Sequence, residues 1–384
     1  MTSTQSVIRE VKAFEFYKKY IWPVRRVLVK KHLTPRCRSC FLPESYCRLD
    51  KGICEICRTE EPTVSSITKS EQDSMQDRFD RLMASVITRE DLQYHAMILF
   101  SGGKDSSYLL HHMLTRYRGL RILALTVDNT FMSPVAMENV KEIIRGLRVD
   151  HMIFRPDAGV MEKMFRYAFT HLNEKGCSGT VDQLDGDFFC DAARNIAARM
   201  GIPYILCGLS RDQVQQILGL DTFMTSPAAE AGRRGQSAGI ELSEIFSRPE
   251  MHHWWNGPAW PPEQRPLMLF PFYIWDFEEA YIKAQVIRLN LMPRGDESPL
   301  VTNNTLIPLM GIVDMISLGY SSFEPEFARM VRNGKADRRD WLYTFETLEY
   351  AARTGRLLGR AVDEVLERLS LNRPDLGIKG GGNG

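Results

Sequence analysis

The residues best placed to do chemistry stand in a short loop, SGGKDSS, at positions 101–107. An apolar run, AMILF, precedes this loop, and a helical pattern, SSYLLHHMLTRY, begins within it. A glycine-rich turn that opens a helix presents backbone N–H groups to an anion, and the helix dipole adds favourable potential. Lys104 supplies positive charge, and the serine hydroxyls can donate hydrogen bonds. The loop therefore predicts a polyphosphate site, and ATP is the expected ligand.

Within this loop the residues have different predicted roles. Gly102 and Gly103 allow the backbone to approach a phosphate closely, because they carry no side chain. Asp105 would repel a phosphate placed against it, so it is predicted to contact Mg²⁺ or to accept hydrogen bonds at the start of the helix. The loop does not match GxxxxGK(S/T), and the usual loop for transfer of a γ-phosphate is therefore not implied.

The surrounding sequence alternates between short apolar runs and helical patterns. Strands are predicted at 96–100, 121–129, 151–156 and 203–208, and a helix at 188–200 precedes the last of them. This alternation predicts an α/β fold with a doubly wound, mostly parallel sheet. Ligands bind such sheets beyond the C-terminal ends of the strands, where the loop is expected.

The string LFSGGKDSSYLL on a strand–loop–helix resembles the N-type PP-loop ATP pyrophosphatase superfamily, whose signature is SGGxDS. The resemblance covers roughly residues 95–215 and implies an adenine nucleotide alpha hydrolase-like fold. It also implies cleavage of ATP between the α and β phosphates, with the pyrophosphate held by the loop. The nucleotide-binding residues that follow from the loop and the resemblance are Ser101, Gly102, Gly103, Lys104, Asp105, Ser106, Ser107, Val127, Asp128, Asn129 and Gly208.

A second motif, GLSRDQ at 208–213, stands where relatives that thiolate tRNA carry Gly-His-Asn-x-Asp-Asp. Asp212 matches the first acid of that motif. Leu209 replaces its histidine, and Gln213 replaces its second acid. These departures argue against a second metal contact and against a tRNA substrate.

Four cysteines form two CxxC pairs, Cys37 with Cys40 and Cys54 with Cys57. Two such pairs at this spacing can surround one tetrahedral Zn²⁺, and an iron–sulfur cluster is the alternative. A closed site of four thiolates has no open position for catalysis, so its predicted role is to fold the ribbon at 35–60. Cys47 lies off this spacing and is not expected to be a ligand.

The ribbon resembles those that precede the ATP domain in two branches of the superfamily. One branch comprises sulfur transferases of the tRNA type, and the other comprises N-acetyl sugar amidotransferases. The strings CRSCFLPESYCRLDKGICEIC and EFARMVRNGKADRRDWL are more similar to the second branch.

Cys177, in the segment NEKGCSGT, falls near the place where sulfur-transferring relatives have a catalytic cysteine. An accessible loop cysteine can carry a persulfide or attack an activated carbon, although a surface or half-buried thiol with no role explains it equally well. Cys190 could act as the partner of Cys177, but both Cys190 and Cys207 are expected to be buried. A group of nearby acids is expected to be solvated, with a role in binding Mg²⁺ as the alternative: Asp182, Asp185, Asp187 and Asp191.

These features together predict ATP-dependent adenylation of a carbonyl or amide oxygen on a small molecule such as a purine nucleotide. Sulfur transfer that displaces AMP would follow. The alternatives are amide transfer to an N-acetyl sugar with ammonia from a partner glutaminase, and thiolation of tRNA. The expected cofactors are ATP, Mg²⁺ and Zn²⁺, and the expected donor is a protein of the cysteine desulfurase type. The predicted catalytic residues are Lys104, Asp105, Cys177 and Asp212.

The bulk composition favours a globular protein without a dominant charge. Lys and Arg number 49 and Asp and Glu number 48 among 384 residues, which argues against a large nucleic-acid footprint. The N-terminus has no apolar core typical of a signal peptide, so a cytoplasmic location without a membrane partner is expected. The sequence leaves a homodimer open. The chain is predicted to have five parts. They are a basic helical arm at 1–34, the ribbon at 35–60, the ATP domain at 61–275 with an insertion or lid at 219–265, a helical region at 276–376 and a disordered tail at 377–384. Pro23 should break or kink the helical arm.

Overall fold

A computed structural model describes residues 4–59, 67–233, 236–291, 304–356 and 360–379 of the chain. Its helices are α1 (Thr4–Phe16), α2 (Trp22–Val29), α3 (Glu55–Thr59), α4 (Lys69–Ile87), α5 (Lys104–Arg116), α6 (Pro134–Leu147), α7 (Ala158–Thr170), α8 (Gln183–Met200), α9 (Arg211–Leu218), α10 (Pro227–Gly232), α11 (Pro271–Trp275), α12 (Glu279–Arg288), α13 (Ile307–Ser317), α14 (Glu324–Arg332), α15 (Arg338–Thr354) and α16 (Arg360–Arg368). Its strands are β1 (Leu49–Asp50), β2 (Ile53–Cys54), β3 (Ala96–Leu99), β4 (Ile122–Val127), β5 (Asp150–Phe154), β6 (Tyr204–Leu206), β7 (Gln236–Ser237), β8 (Ile240–Glu241) and β9 (Leu267–Leu269).

The chain divides into two compact units. The first unit contains Met1–Thr63, Gly159–Leu184 and Asn304–Gly384, and the second contains Val64–Ala158 and Asp185–Asn303. The segment 159–184, which the sequence analysis assigns to the ATP domain, therefore groups with the N-terminal and C-terminal segments.

The second unit is built on a parallel sheet with the strand order β5-β4-β3-β6-β9. The predicted α/β fold with a mostly parallel sheet is thus confirmed. The chain moves outward from β3 through β4 to β5 and then returns to the other side of β3 with β6. The strand order therefore reverses between the adjacent strands β3 and β6, and the loop after β3 lies at this point.

Strand β9 is a member of this sheet that the sequence analysis does not predict. Its three residues lie in the apolar run PLMLFPFYIW, and they pair in parallel with β6. An apolar run this short has no periodicity that distinguishes a strand from a buried helix.

The segment at 219–265, which is predicted to be an insertion or lid, has short regular elements. It contains α10 and the hairpin β7–β8. Trp254 and Trp255 are buried, and the indole N–H of Trp255 donates to the carbonyl oxygen of Glu230 over 3.0 Å. The described part of the insertion is therefore a packed segment of the second unit.

The N-terminal arm of the first unit is a helix that continues past Pro23. A π-helical turn over Tyr17–Ile21 joins α1 to α2, and the N–H of Trp22 bonds to the carbonyl oxygen of Tyr17. Pro23 lies in the first turn of α2, where a missing N–H is tolerated. The expected break at Pro23 is therefore wrong, because the change of hydrogen-bond pattern occurs one turn earlier.

The C-terminal part of the first unit is helical, as expected. Helices α13, α14, α15 and α16 all lie within the region at 276–376 that is predicted to be helical. Ile378 is buried, so the predicted disordered tail begins too early, and its last five positions lie outside the described residues. Among the described helices, none combines the length and the apolar character that are needed to cross a membrane.

Candidate active site

The loop that follows β3 has its own internal hydrogen bonds. The hydroxyl of Ser107 donates to the carbonyl oxygen of Gly103 over 2.7 Å, and the N–H of Gly103 donates to Oγ of Ser101 over 3.3 Å. Helix α5 begins at Lys104, and no side chain caps its N-terminus. The first N–H groups of α5 therefore have no capping side chain, which suits them to bind an anion.

Gly102 is required by the backbone of this loop. Its φ of +74° lies in the left-handed region, and a Cβ at this position would lie 2.7 Å from Cγ2 of Val140 and 2.9 Å from the carbonyl oxygen of Ala136. Helix α6 therefore packs directly against the loop. A side chain at residue 102 would have to displace backbone atoms of α6.

Lys104 and Asp105 form an ion pair at the start of α5. Nζ of Lys104 lies 2.7 Å from Oδ2 of Asp105 and 3.7 Å from Oε1 of Glu279. The Asp105 side chain is 43% exposed, so it is accessible to a ligand or a cation. Within the described residues, Asp105 and Asp212 belong to no cluster of three or more converging metal ligands.

The C-terminal end of β4 carries two buried polar residues, Asp128 and Asn129. The Asp128 carboxylate accepts hydrogen bonds from the guanidinium of Arg155 and from the N–H of Thr130. The Asn129 amide donates to both carboxylate oxygens of Asp185 over 2.9 Å. The end of this strand is therefore polar and hydrogen-bonded, and the nucleotide-binding role of residues 127–129 stays a prediction.

The segment after β6 lies against the loop. A Cβ on Gly208 would be 3.6 Å from the carbonyl carbon of Asp105 and from the N–H of Ser106, so the two turns are in close contact. Ser210 and Gln213 form a reciprocal capping box at the start of α9. Gln213, which replaces the second acid of the thiolase motif, therefore has a local structural role.

A cavity of about 190 Å³ lies beside this segment, between the C-terminal ends of β6 and β9 and helices α8, α9 and α10. Leu209, the neighbour of Gly208, forms part of its wall, so the cavity begins one residue from the contact with the loop. The residues that characterise its lining are Cys190, Arg194, Leu209, Glu230, Arg233 and Phe270.

Buried ion pairs fix the polar wall of this cavity. Arg194 binds Glu230 through Nε at 2.6 Å and Asp191 through Nη1 at 3.0 Å, and all three side chains are at most 5% exposed. Arg233 adds contacts to Asp191 at 2.8 Å and to Asp187 at 3.0 Å. These pairs connect α8 to the insertion and give the cavity a charged wall with defined geometry.

The acids that the sequence analysis expects to be solvated are mostly buried. Asp185, Asp187 and Asp191 are at most 8% exposed, so this expectation is wrong for them. They lie along α8, and each binds a partner from another segment of the second unit. Their spacing at 185, 187 and 191 does not distinguish a buried helix face from a solvated one, because the partners are remote in sequence.

Cys177 does not lie in an accessible loop, contrary to expectation. Its side chain is fully buried in the first unit, and its N–H donates to Oδ1 of Asp314 over 2.7 Å. Burial, with the nearby Asp314 carboxylate as a further cause, raises the pKa of the Cys177 thiol well above its usual range. A thiol of this kind is a poor nucleophile at neutral pH.

Cys190 and Cys207 differ in their access to the cavity. Cys207 is buried at the end of β6, as expected, whereas Cys190 is only partly buried and lines the cavity. Burial raises the pKa of the Cys190 thiol to about 12, and this shift is opposed by Arg194 and Arg233. Cys190 therefore lines the cavity, but its unmodified thiol, like that of Cys177, is a poor nucleophile at neutral pH.

The four cysteines of the ribbon converge in the first unit. The Sγ atoms of Cys37, Cys40, Cys54 and Cys57 all lie within 4.8 Å of one another. The distance is 3.6 Å between Cys40 and Cys54 and 3.9 Å between Cys37 and Cys57. Four sulfurs about 2.3 Å from one tetrahedral ion lie about 3.8 Å apart, so the cluster has the dimensions of a single-metal site.

The backbone of the ribbon favours an ionised thiol at Cys37. The N–H groups of Ser39 and Cys54 point at Sγ of Cys37 over 3.4 and 3.3 Å. Burial alone would raise the pKa of the Cys37 thiol, but the backbone N–H groups outweigh burial and lower it to about 7. Burial instead raises the pKa of the Cys40 and Cys57 thiols, so these two must lose their protons when a metal ion binds.

No family model matches the chain. An uncharacterized protein of Methanocaldococcus jannaschii is 35% identical over 71 residues, which is 18% of this chain and 25% of that protein. The chain thus spans only about a quarter of the length of that curated relative.

Three solved structures show low similarity to the chain. The U34-tRNA thiolase NcsA of Methanococcus maripaludis, which contains a 4Fe–4S cluster, aligns over 91% of this chain and 99% of its own at 13% identity and a TM-score of 0.35. A phosphoadenylyl-sulfate reductase of Candida auris aligns over 67% and 94% at 13% identity and a TM-score of 0.31. An NH3-dependent NAD synthetase of Campylobacter jejuni aligns over 73% and 96% at 11% identity and a TM-score of 0.30. All three neighbours are members of the PP-loop ATP pyrophosphatase superfamily.

Proposed function

We propose that this chain is an ATP pyrophosphatase of the PP-loop type that adenylates a carbonyl or amide oxygen of a small molecule. The observation that carries the proposal is the SGGKDS loop at the reversal point between β3 and β6. Its glycine turn packs against α6, Gly208 contacts Asp105 and Ser106, and the start of α5 has no side-chain cap. This arrangement suits an anionic leaving group such as pyrophosphate.

The loop residues would share the work of stabilising the leaving pyrophosphate. The N–H groups at the start of α5 would bind its oxygens, and Lys104 would exchange its pairing with Asp105 for a phosphate contact. Asp105 would hold Mg²⁺, which would supply positive charge to the leaving group. Asp128 and Asn129 would hold the nucleoside at the end of β4.

The cavity beside Leu209 is the site proposed for the acceptor. It begins one residue from the contact between Gly208 and the loop, so an acceptor bound there would lie next to the nucleotide. A volume of about 190 Å³ suits one heterocyclic or acetamido group, not a large substrate. Arg194, Glu230 and Arg233 offer both donors and acceptors to a carbonyl or amide group.

Two nucleophiles are compatible with this site. For sulfur transfer, the terminal sulfur of a Cys190 persulfide, supplied by a cysteine desulfurase, would attack the adenylated carbon and AMP would leave. An external thiol would then attack Cys190 Sγ and break the S–S bond, which releases the thiolated product and leaves a mixed disulfide on Cys190 that a second thiol reduces. The observation in its favour is that Cys190 lines the cavity, whereas Cys177 is fully buried. For amide transfer, ammonia from a partner glutaminase would enter the same cavity and displace AMP without a protein thiol.

The four thiols of the ribbon are proposed to bind one structural Zn²⁺. The sulfur spacing supports this, since the thiolates of an iron–sulfur cluster bind different irons and must stand farther apart. Metal analysis of the purified chain should find one zinc per chain. Cys54→Ser should remove it, and the matched variant Cys47→Ser should keep it, because Cys47 lies outside the group.

The function is tested by mass spectrometry of a metabolite extract incubated with the full chain, ATP and Mg²⁺, with either a cysteine desulfurase system or ammonia. Pyrophosphate release that depends on the extract is expected, and Lys104→Ala should reduce it. Release of phosphate without pyrophosphate would contradict the proposal. A product that gains sulfur and is lost in Cys190→Ser identifies sulfur transfer, whereas exchange of oxygen for nitrogen, unaffected by that variant, identifies amide transfer.

A further inference from the structure

The N-terminal arm presents a row of exposed apolar side chains. Five of them recur at helical spacing through α1, the π-helical turn and α2. Their exposed fractions run from 58% for Phe16 and Tyr20 to 80% for Val27, and the row is Phe16, Tyr20, Val24, Val27 and Leu28. The rings of Phe16 and Tyr20 lie 5.1 Å apart, so this part of the row is continuous. A contiguous exposed apolar row indicates a site of interaction with a partner.

The opposite side of the arm faces α15, and it uses the cations that could have bound nucleic acid. Arg26 pairs with Glu346 at 2.5 Å, and Arg25 donates to the hydroxyl of Tyr350 over 2.6 Å. Lys18 is buried between Glu15 and Asp340 at 2.8 and 2.9 Å. These three cations therefore stabilise the first unit, and they are not available to phosphates.

Lysines remain around the apolar row. Lys12, Lys19, Lys30 and Lys31 are exposed, and Nζ of Lys19 lies 5.3 Å above the ring of Tyr20. The only acid between residues 11 and 32 is Glu15, which is paired with Lys18. The outward face therefore has an apolar row with lysines beside it and at its ends, and it complements a surface that is apolar within and carries negative charge.

We infer that this face binds the surface of a membrane that contains anionic lipids, as an amphipathic helix lying in the interface. Phe and aliphatic side chains would enter the acyl boundary, and the lysines would reach the lipid phosphates. A second copy of the chain is disfavoured as the partner, because pairing two arms would bring their lysines close together. Nucleic acid is disfavoured because the centre of the face has no cation. This surface departs from the expectation of a chain without a membrane partner.

Co-sedimentation of the full chain with vesicles tests this. Vesicles of equal parts phosphatidylglycerol and phosphatidylcholine should bind it, vesicles of phosphatidylcholine alone should bind it weakly, and added salt should weaken binding. The combined variant Val24→Ser, Val27→Ser and Leu28→Ser leaves the charge unchanged and should lower binding roughly tenfold or more. Ile217→Ser, at another exposed apolar residue, should have no effect.

Circular dichroism and the thermal transition of the triple variant should match those of the wild type. No binding to anionic vesicles, or binding that the triple variant retains, overturns the inference. A wild-type dimer that the triple variant turns into a monomer in light scattering also overturns it, because the row would then be covered by a second copy.

Discussion

The N–H of Cys177 donates a hydrogen bond to Oδ1 of Asp314 over 2.7 Å, and the same carboxylate accepts the N–H of Ser322 over 2.8 Å. Both Cys177 and Asp314 are fully buried. Gly176 approaches the same carboxylate so closely that a Cβ there would lie 2.5 Å from Oδ1. The segment around Cys177 is therefore held against α13 by hydrogen bonds and close packing, and it is not a free loop.

This relationship predicts that Asp314→Asn destabilises the chain by about 2–3 kcal/mol, because one buried N–H loses its charged acceptor. Urea unfolding followed by fluorescence measures the change. Cys177→Ser is expected to leave turnover nearly unchanged, since the buried thiol has a raised pKa. A Cys177→Ser variant that folds normally but loses all turnover would contradict this structural role.

The sequence allowed the loop, the sheet and the four thiols to be predicted because each depends on residues close together in the chain. SGGKDS lies within one strand–loop–helix, and each CxxC pair lies within one turn. The environment of Cys177 depends instead on Asp314, 137 residues away. The local sequence GCSG around Cys177 is the same whether the segment is a free loop or is bonded to a remote carboxylate.

The polar wall of the cavity was missed for the same reason. Arg194 and Glu230 are 36 residues apart, and nothing near either residue in sequence indicates the other. The helical pattern at 188–200 predicts α8 correctly, but it does not show which face is covered by the insertion. Buried ion pairs of this kind become visible only when the packing of α8 and α10 is known.

This ion pair gives the second prediction. Glu230→Gln should destabilise the second unit by about 3 kcal/mol, because it leaves the buried guanidinium of Arg194 without one of its charged partners. It should also raise the KM for the acceptor, because the cavity wall moves. Glu142→Gln removes an exposed pair with Arg145 and should cost less than about 0.5 kcal/mol. Equal effects of the two variants in thermal unfolding would contradict the assigned burial.

His95, which precedes β3, gives a prediction on pH. It is buried, and its Nδ1 accepts the N–H of Arg121 over 3.1 Å, which requires the neutral ring. Burial and the charge of Arg121 lower the pKa of His95 below its usual value. The unfolded chain therefore binds this proton more readily than the folded chain, and stability should fall as the pH drops below about 6.5.

The pH dependence is checked by urea unfolding at a series of pH values between neutral and mildly acidic. His95→Gln should show a shallower loss of stability over this range, because the titrating group is gone. His171 is exposed and makes only local contacts, so His171→Gln should leave the slope unchanged. A slope that is the same in His95→Gln as in the wild type would assign the effect to another group.

The last prediction concerns the glycine turn of the loop. Gly102 and Gly201 have nearly the same backbone, with φ of +74° and +68°, but a Cβ on Gly102 would meet Val140 and Ala136, whereas nothing lies within 4 Å of a Cβ on Gly201. Gly201→Ala should therefore cost only the backbone strain, about 1 kcal/mol. Gly102→Ala adds a steric displacement of the loop, and it should lower kcat/KM for ATP by roughly 100-fold. Pyrophosphate release at varied ATP concentration measures this. If kcat/KM for ATP falls no further in Gly102→Ala than in Gly201→Ala, the loop tolerates displacement and does not position the phosphates.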